Sequence, residues 1–253
     1  MIDPIDIAAL VAAPFVGSFL GVVADRMPRR ESVVAGRSKC RACGIALGPA
    51  SLLPLLSWAL QRGRCRSCGG RIDWLLPLME IGALAIAISA STVCHGWLLW
   101  ASCALGWTLL TLAAIDARWQ ILPDALTLTL IPAGIGAFWL IDRSNVVEHA
   151  MAAMAGFVVF AAIGWTYRRL RGRDGLGLGD AKLLAAAGAW TGFAGLPGVV
   201  LWACGTALAV VLMGVPFGAT VTSDRRIAFG PYLCLGIWLV WLYGPLMLPW
   251  PVA

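Results

Sequence analysis

A chain of 253 residues that is 60% hydrophobic and 13% charged, with a mean hydropathy of +0.84, is far more apolar than a soluble domain, in which about a quarter of residues carry charge. Composition therefore excludes a soluble globular protein. The formal net charge of +6 comes without the aromatic-interleaved basic patch expected of nucleic-acid binding, so no nucleic-acid partner is expected.

Eight apolar runs follow one another: Ile7 to Ala24, Trp74 to Val93, Gly96 to Ile115, Ala125 to Ile141, Ala150 to Trp165, Ala181 to Phe193, Pro197 to Phe217 and Ile227 to Met247. A bilayer core takes about 20 apolar residues per helix, which predicts an all-α polytopic membrane protein with about eight transmembrane helices. The sixth run is the shortest, covering about 20 Å at 1.5 Å per residue. The first run is preceded by Asp3 and Asp6; with no basic n-region or small-residue cleavage site it reads as a retained span. Cytoplasmic loops are enriched in Lys and Arg. With the N-terminus outside, every basic residue except Arg143 falls on the cytoplasmic side, and region 25–73 alone carries ten of them. The charge is thus read as topology, with anionic membrane lipid as its counterpart.

Within the first span, Gly17, Ser18 and Gly21 have the spacing that lets membrane helices approach closely. Residues 25–73 then form a soluble region too small to bury a self-sufficient core. Cys40-Arg-Ala-Cys43 and Cys65-Arg-Ser-Cys68, each followed by a glycine, form paired CxxC knuckles with the spacing of a four-cysteine zinc site. The cytosol keeps thiols reduced, which disfavours disulfides, and four thiolates leave no open position on the metal. The expectation is one structural zinc. The apolar stretch from Leu52 to Trp58, broken by Pro54, is expected to pack on the knuckles or to rest beside Trp74. Cys94, Cys103, Cys204 and Cys234 lie in or at the ends of apolar runs and read as small hydrophobes.

The carboxylates carry the chemistry. Glu80 lies two helical turns into the second span, where an unpaired charge is costly, and is either a paired structural residue or a binding residue. Asp116 ends the third span, at a helix C-terminus whose dipole disfavours negative charge. Asp124 follows Pro123 and reads as a helix N-cap. Asp180 ends the run Asp174-Gly-Leu-Gly-Leu-Gly-Asp180; it is either an N-cap for a helix beginning near Ala181 or a functional group at a glycine loop that another chain can approach closely. Trp97, Trp100, Trp119, Trp139, Trp190 and Trp250 fall near span ends as an aromatic belt. His95 and His149 fall at external ends and read as interfacial hydrogen-bonding groups.

By this topology Asp116 and Asp180 come from different helices and reach the same cytoplasmic face. Two close carboxylates do not both ionise cheaply, so one keeps a proton while the other activates water, the chemistry of an aspartic protease. Two other classes compete. A proton-coupled transporter would use these carboxylates as a relay, but shows no inverted repeat and leaves the cysteine knuckles unexplained. A zinc-bearing membrane scaffold without catalysis leaves the glycine loop unexplained.

The segment Gly177-Leu-Gly-Asp180 with Ala181-Lys182-Leu183 resembles the GxGD signature of type IV prepilin peptidases, within the GxGD aspartic proteases. Asp116 followed by Leu122-Pro123-Asp124 resembles the family's first catalytic segment. Gly17-Ser18-Phe19-Leu20 and Arg26-Met27-Pro28 resemble its amino-terminal motif, the CxxC pairs its zinc loop, Ser57-Trp58 with Arg62-Gly63 the stretch between them, and Pro77-Leu78-Met79-Glu80 its P-x-V-E segment. The resemblance implies Asp116 and Asp180 as the catalytic dyad, with Gly175, Gly177, Gly179, Lys182 and Asp124 as substrate-binding candidates. It implies structural zinc on Cys40, Cys43, Cys65 and Cys68, and Glu80 as the candidate contact for S-adenosylmethionine. It further implies cleavage of the basic leader of prepilins or pseudopilins after a Gly, then N-methylation of the new terminus, at the bacterial inner membrane. Residues 1–24 would be the first span, 25–73 the zinc-binding loop domain bearing the methyltransferase function, and 74–253 the transmembrane peptidase domain. Gly21 and Asp25 depart from the family pattern, which has Asn at the first and an aromatic or His at the second.

Overall fold

Apolar runs bounded by Gly, Pro and charged residues become helices, and a computed structural model describing residues 4–34, 38–46, 48, 53–172, 175–214 and 228–245 shows them in chain order. They are α1 (Pro4–Arg26), α2 (Leu56–Leu60), α3 (Leu75–Ser91), α4 (Gly96–Trp119), α5 (Asp124–Ile141), α6 (Val146–Arg171), α7 (Leu178–Gly214) and α8 (Gly230–Tyr243). Among the described residues there is no β-strand, only two isolated antiparallel bridges. Five helices, α1, α4, α5, α6 and α7, are long and apolar enough to cross a membrane, and α3 and α8 are shorter apolar helices. Arg37, Arg173, Asp174, Arg225, Arg226, Leu52, Trp250 and the far ends of the seventh and eighth expected spans lie outside the described residues.

The sixth and seventh expected spans meet inside α7. Helical geometry fails at Gly192, with φ 64° and ψ −173°, a left-handed φ that glycine adopts without steric cost. The break comes ahead of the boundary expected between Phe193 and Pro197. Its cause is tertiary: the Phe193 N–H, orphaned at the new helix start, donates to Glu148 Oε1 at 2.6 Å. A Cβ on Gly192 would lie 2.7 Å from Glu148 Oε2. With α7 divided here, eight apolar helical segments among the described residues correspond to the eight runs.

The chain forms two compact units, Met1–Ala114 and Ile115–Ala253. In the first, α1 lies against α3. Lipid tails are as apolar as leucine, so membrane helices associate through close van der Waals contact across small residues. A Cβ on Gly17 would fall 2.6 Å from the Met79 carbonyl oxygen and 2.7 Å from Glu80 Cα, and one on Gly21 would fall 2.9 Å from Leu76. At the opposite end of α1, the buried Asp6 accepts from His95 Nδ1 at 2.9 Å and from the Gly96 N–H at 3.1 Å, at the start of α4. His95 is thus the hydrogen-bonding group its position suggested.

In the second unit α7 is central, packed by α5, α6 and α8. From Leu183 to Gly192 every residue is buried, the signature of a helix surrounded by protein. This accounts for the shortness of that run, whose neighbours are helices. The packing is tight: a Cβ on Gly188 would meet the Ala152 carbonyl oxygen at 2.4 Å, and one on Gly156 the Leu184 carbonyl oxygen at 2.7 Å. Trp190 is buried here, away from any aromatic belt. Its Nε1–H donates to the Leu130 carbonyl at 2.8 Å and its ring meets Trp241 edge-on. His149 is likewise buried and not interfacial: its Nδ1–H donates to the Ala189 carbonyl at 3.0 Å and its ring stacks on Phe138.

Candidate active site and metal centre

The metal centre belongs to the first unit. Each CxxC lies in a tight hairpin closed by an isolated bridge, Lys39 with Ala46 and Arg64 with Arg71. Gly44 and Gly69 turn the chain at φ 72° and 70°, their N–H groups donating to the carbonyls of Cys40 and Cys65. The Sγ atoms of Cys40, Cys43, Cys65 and Cys68 all lie within 4.8 Å of one another, and Cys40 and Cys68 are 3.8 Å apart. A tetrahedron with metal–sulfur bonds of about 2.3 Å has an edge of about 3.8 Å, so the thiols fit a four-coordinate ion. Backbone N–H groups of Cys68 and Ser67 pull the Cys65 thiol down to about 6. Cys68, although the Gly70 N–H favours its thiolate, is pushed up to about 11 by the crowding of Cys43, burial and the remaining thiols. A cation relieves that crowding.

Arg41, inside the first knuckle, ties it to the end of α1. Its guanidinium donates to Asp25 through Nε at 3.0 Å and through Nη2, and to both Glu31 carboxylate oxygens at 3.0 Å. The Arg41 hydrogen bonds hold Glu31 below the usual carboxylate range. The departure at Asp25 thus has a partner in this chain. The stretch between the knuckles contains α2, and Trp58 packs on Trp74 with ring centroids 4.5 Å apart, as expected. Glu80 is 6% exposed, and its Oε2 accepts from the Leu55 N–H at 2.7 Å, fixing the turn that enters α2. The Trp58 Nε1–H is buried without a hydrogen-bond partner.

The carboxylates belong to the second unit. Asp116, one turn before the end of α4, is 6% exposed. Its Oδ2 accepts from the N–H of Gly230, the first residue of α8, at 3.0 Å. The unfavourable dipole of its own helix is therefore answered by the N-terminus of another. Gly230 has room for no side chain there, since its Cβ would lie 2.6 Å from Asp116 Oδ2. Nothing in composition singled out Gly230; the one available signal was Gly-Pro at the start of the last apolar run.

Asp180 is not an N-cap. The helix begins at Leu178 and Asp180 sits in its first turn, with Oδ2 accepting from the N–H of Gly177 at 3.2 Å. This is the backward reach of the third helical residue to the cap position. Asp124 is no cap either. Pro123 holds that position without a side-chain bond, and Asp124, already helical, pairs with Lys182 Nζ at 2.6 Å. The Asp124 carboxylate is free to leave the cap because the proline before it sets the extended entry by itself. Among the three glycines, Gly175 lies under the Tyr167 ring, Gly179 against Leu122, and Gly177 is exposed, a Cβ there having Asp180 Oδ2 at 3.4 Å as its nearest neighbour.

The sequence matches two family models, the bacterial peptidase A24 N-terminal domain over residues 11–94 and the type IV leader peptidase family over residues 103–213. It is 33% identical to a prepilin leader peptidase/N-methyltransferase of Aeromonas salmonicida (strain A449) over 93% of this chain and 89% of that protein. The proteins of the same name from Dickeya chrysanthemi and Pseudomonas aeruginosa are 36% and 32% identical, over 90% of this chain in both cases and over 89% and 87% of their own lengths. No solved structure matches.

Proposed function

Because this chain belongs to the type IV leader peptidase family, we propose that it is a membrane aspartic endopeptidase removing the basic leader of prepilins or pseudopilins after a Gly, at the cytoplasmic face of the bacterial inner membrane with its N-terminus outside. One observation carries the reading: Asp116 and Asp180, from different helices of the same unit, each accept a backbone N–H at a helix start, from Gly230 and Gly177. On this reading the two carboxylates share one proton, since a close pair does not ionise twice cheaply.

The ionised carboxylate takes a proton from water as the water oxygen attacks the scissile carbonyl carbon. The tetrahedral intermediate collapses when the carboxylic acid gives its proton to the departing amine, breaking the C–N bond. The dyad ends with one proton, as it began. Lys182, paired with Asp124, and the glycine main chain would border the extended peptide. The test is cleavage of a leader-bearing substrate by purified protein, read by mass spectrometry. Asp116→Asn and Asp180→Asn should each abolish cleavage while membrane insertion persists; substantial activity in either variant would overturn the dyad.

For the cysteine cluster the ion is zinc, structural, about one per chain. The relatives' second named activity we place in the first unit, where the buried Glu80 and the unpaired Trp58 indole N–H, joined through α2, suit a cationic, ribose-bearing donor such as S-adenosylmethionine. That donor supplies an electrophilic methyl group for the new N-terminal amine. Transfer of labelled methyl to the cleaved product should disappear in Glu80→Gln with cleavage retained; methylation undiminished in that variant would refute the assignment.

A further inference from the structure

A carboxylate held by a backbone N–H is only as well placed as the segment that donates it. Asp116 depends on Gly230 at the start of α8, and Asp180 on Gly177 in the loop before α7. We propose that one stripe of α6 fixes both donors, Phe160 acting on the first and Tyr167 on the second, which makes these two aromatics positioning residues for the dyad; this rests on the peptidase reading above.

The stripe is written in the spacing. Gly156, Phe160, Gly164 and Tyr167 follow one another along α6 at intervals of four, four and three residues, which places them on one helix face. Gly156 anchors it: a Cβ there would come 2.7 Å from the Leu184 carbonyl oxygen, so α6 lies directly on the backbone of α7. One turn further, the buried Phe160 ring meets Phe229 with centroids 6.5 Å apart. Phe229 is the cap residue of α8, immediately before Gly230.

The other end of the stripe meets the glycine loop. A Cβ on Gly164 would lie 3.1 Å from the Leu176 carbonyl oxygen, and one on Gly175 would lie 2.5 Å from Tyr167 Cδ1, so helix backbone and aromatic ring both rest on loop main chain. The loop in turn grips Asp180 twice. Gly177 donates its N–H to the carboxylate at 3.2 Å and accepts the Asp180 N–H on its carbonyl at 3.1 Å. Phe160 and Tyr167 stand roughly 10 Å apart along the axis at 1.5 Å per residue. One helix therefore sets the separation of the two donors, and with it the alignment of the carboxylates.

Steady-state cleavage of a leader-bearing substrate tests the assignment, with thermal unfolding in detergent measured on the same samples. Tyr167→Ala and Phe160→Leu should each lower kcat by about tenfold, within the loss that a misplacement near 1 Å produces. Phe160→Leu should leave KM unchanged, because it acts on Asp116 alone, whereas Tyr167→Ala also frees the loop that borders the peptide and should raise KM. Tyr167→Phe keeps the ring carbons that touch Gly175 and should restore wild-type kcat. Phe160→Leu added to Gly230→Ala should cost little beyond Gly230→Ala by itself, since both act through one N–H. Unchanged kcat in Tyr167→Ala, a Tyr167→Phe variant as slow as Tyr167→Ala, or losses that multiply in the combined variant would overturn the proposal. Tyr167 is 40% exposed, so its variants decide the matter even if Phe160→Leu does not fold. Wild-type protein that leaves the substrate uncut would instead overturn the peptidase reading on which this rests.

Discussion

In the first unit four thiols sit on two tight turns, with Cys43 and Cys68 exposed. In the second, two carboxylates sit on helices, and their contacts come from backbone N–H groups of α7 and α8. Of the four thiols only Cys65 is buried, so geometry there is expected to come from a shared ion rather than from a core. The carboxylates need no ion, because α7 is packed by three helices, and Gly134, Gly156 and Gly236 on them leave no room for an added Cβ. A reactive group can thus be placed either by what it binds or by what surrounds it, and the two placements fail differently.

Removing the metal should produce the largest effect, confined to one side of that contrast. Structural zinc contributes about 10–16 kcal/mol to small domains, far more than the Arg41 clamp supplies. The Cys40→Ser, Cys43→Ser double variant, or chelation, should abolish metal content and open residues 25–73 to limited proteolysis. Protein that lacks metal yet keeps a protease-resistant loop would show that packing, not zinc, holds it.

The dyad should respond to an added methyl group instead. Gly230→Ala pushes directly on Asp116, and a displacement near 1 Å costs up to about a hundredfold in rate; kcat should fall by between about tenfold and that limit with zinc content unchanged. Normal turnover in this variant would mean that the α8 N-terminus does not position Asp116.

A smaller loss, about tenfold, is expected for Gly177→Val and for Gly179→Val on the view that substrate main chain lies along the loop. The added Cβ at Gly177 meets nothing closer than Asp180 Oδ2 at 3.4 Å, so a loss there reports on the substrate. At Gly179 the neighbour is Leu122 at 3.1 Å, and packing contributes too. Near-normal cleavage by both would reduce the glycines to turn formers. The smallest effect belongs to Asp124→Asn, which breaks an exposed ion pair with Lys182; such pairs are worth about 0–1 kcal/mol, and thermal unfolding in detergent should shift only slightly.

What could be read from sequence was what repeats or carries charge locally. The apolar runs announced the helices, paired CxxC spacing announced the cluster, and Asp116 and Asp180 stood out because a carboxylate at a span end is costly. What stayed hidden depends on distant neighbours. Gly230 reaches Asp116 across 114 residues and Lys182 reaches Asp124 across 58, and neither pairing leaves a local mark. The break in α7 was misplaced for the same reason, since Pro197 looks like the interruption while Glu148 of another helix sets it at Gly192. Trp190 and His149 looked interfacial because span ends and buried kinks share the same residue types.

That break also divides how α7 answers to its surroundings. From Leu183 to Gly192 the helix is buried all round; beyond it Val199 and Ala203 still face protein, while Leu201, Leu208, Val210, Leu212 and Met213 are exposed. A bilayer that thickens or thins obliges lipid-facing helices to tilt at a modest cost per ångström of mismatch. With helical geometry interrupted at residue 192, such tilting should fall more on the outer half than on the half bearing Asp180. Acyl-chain length should therefore change how the protein sits in a membrane far more than it changes the alignment of its carboxylates.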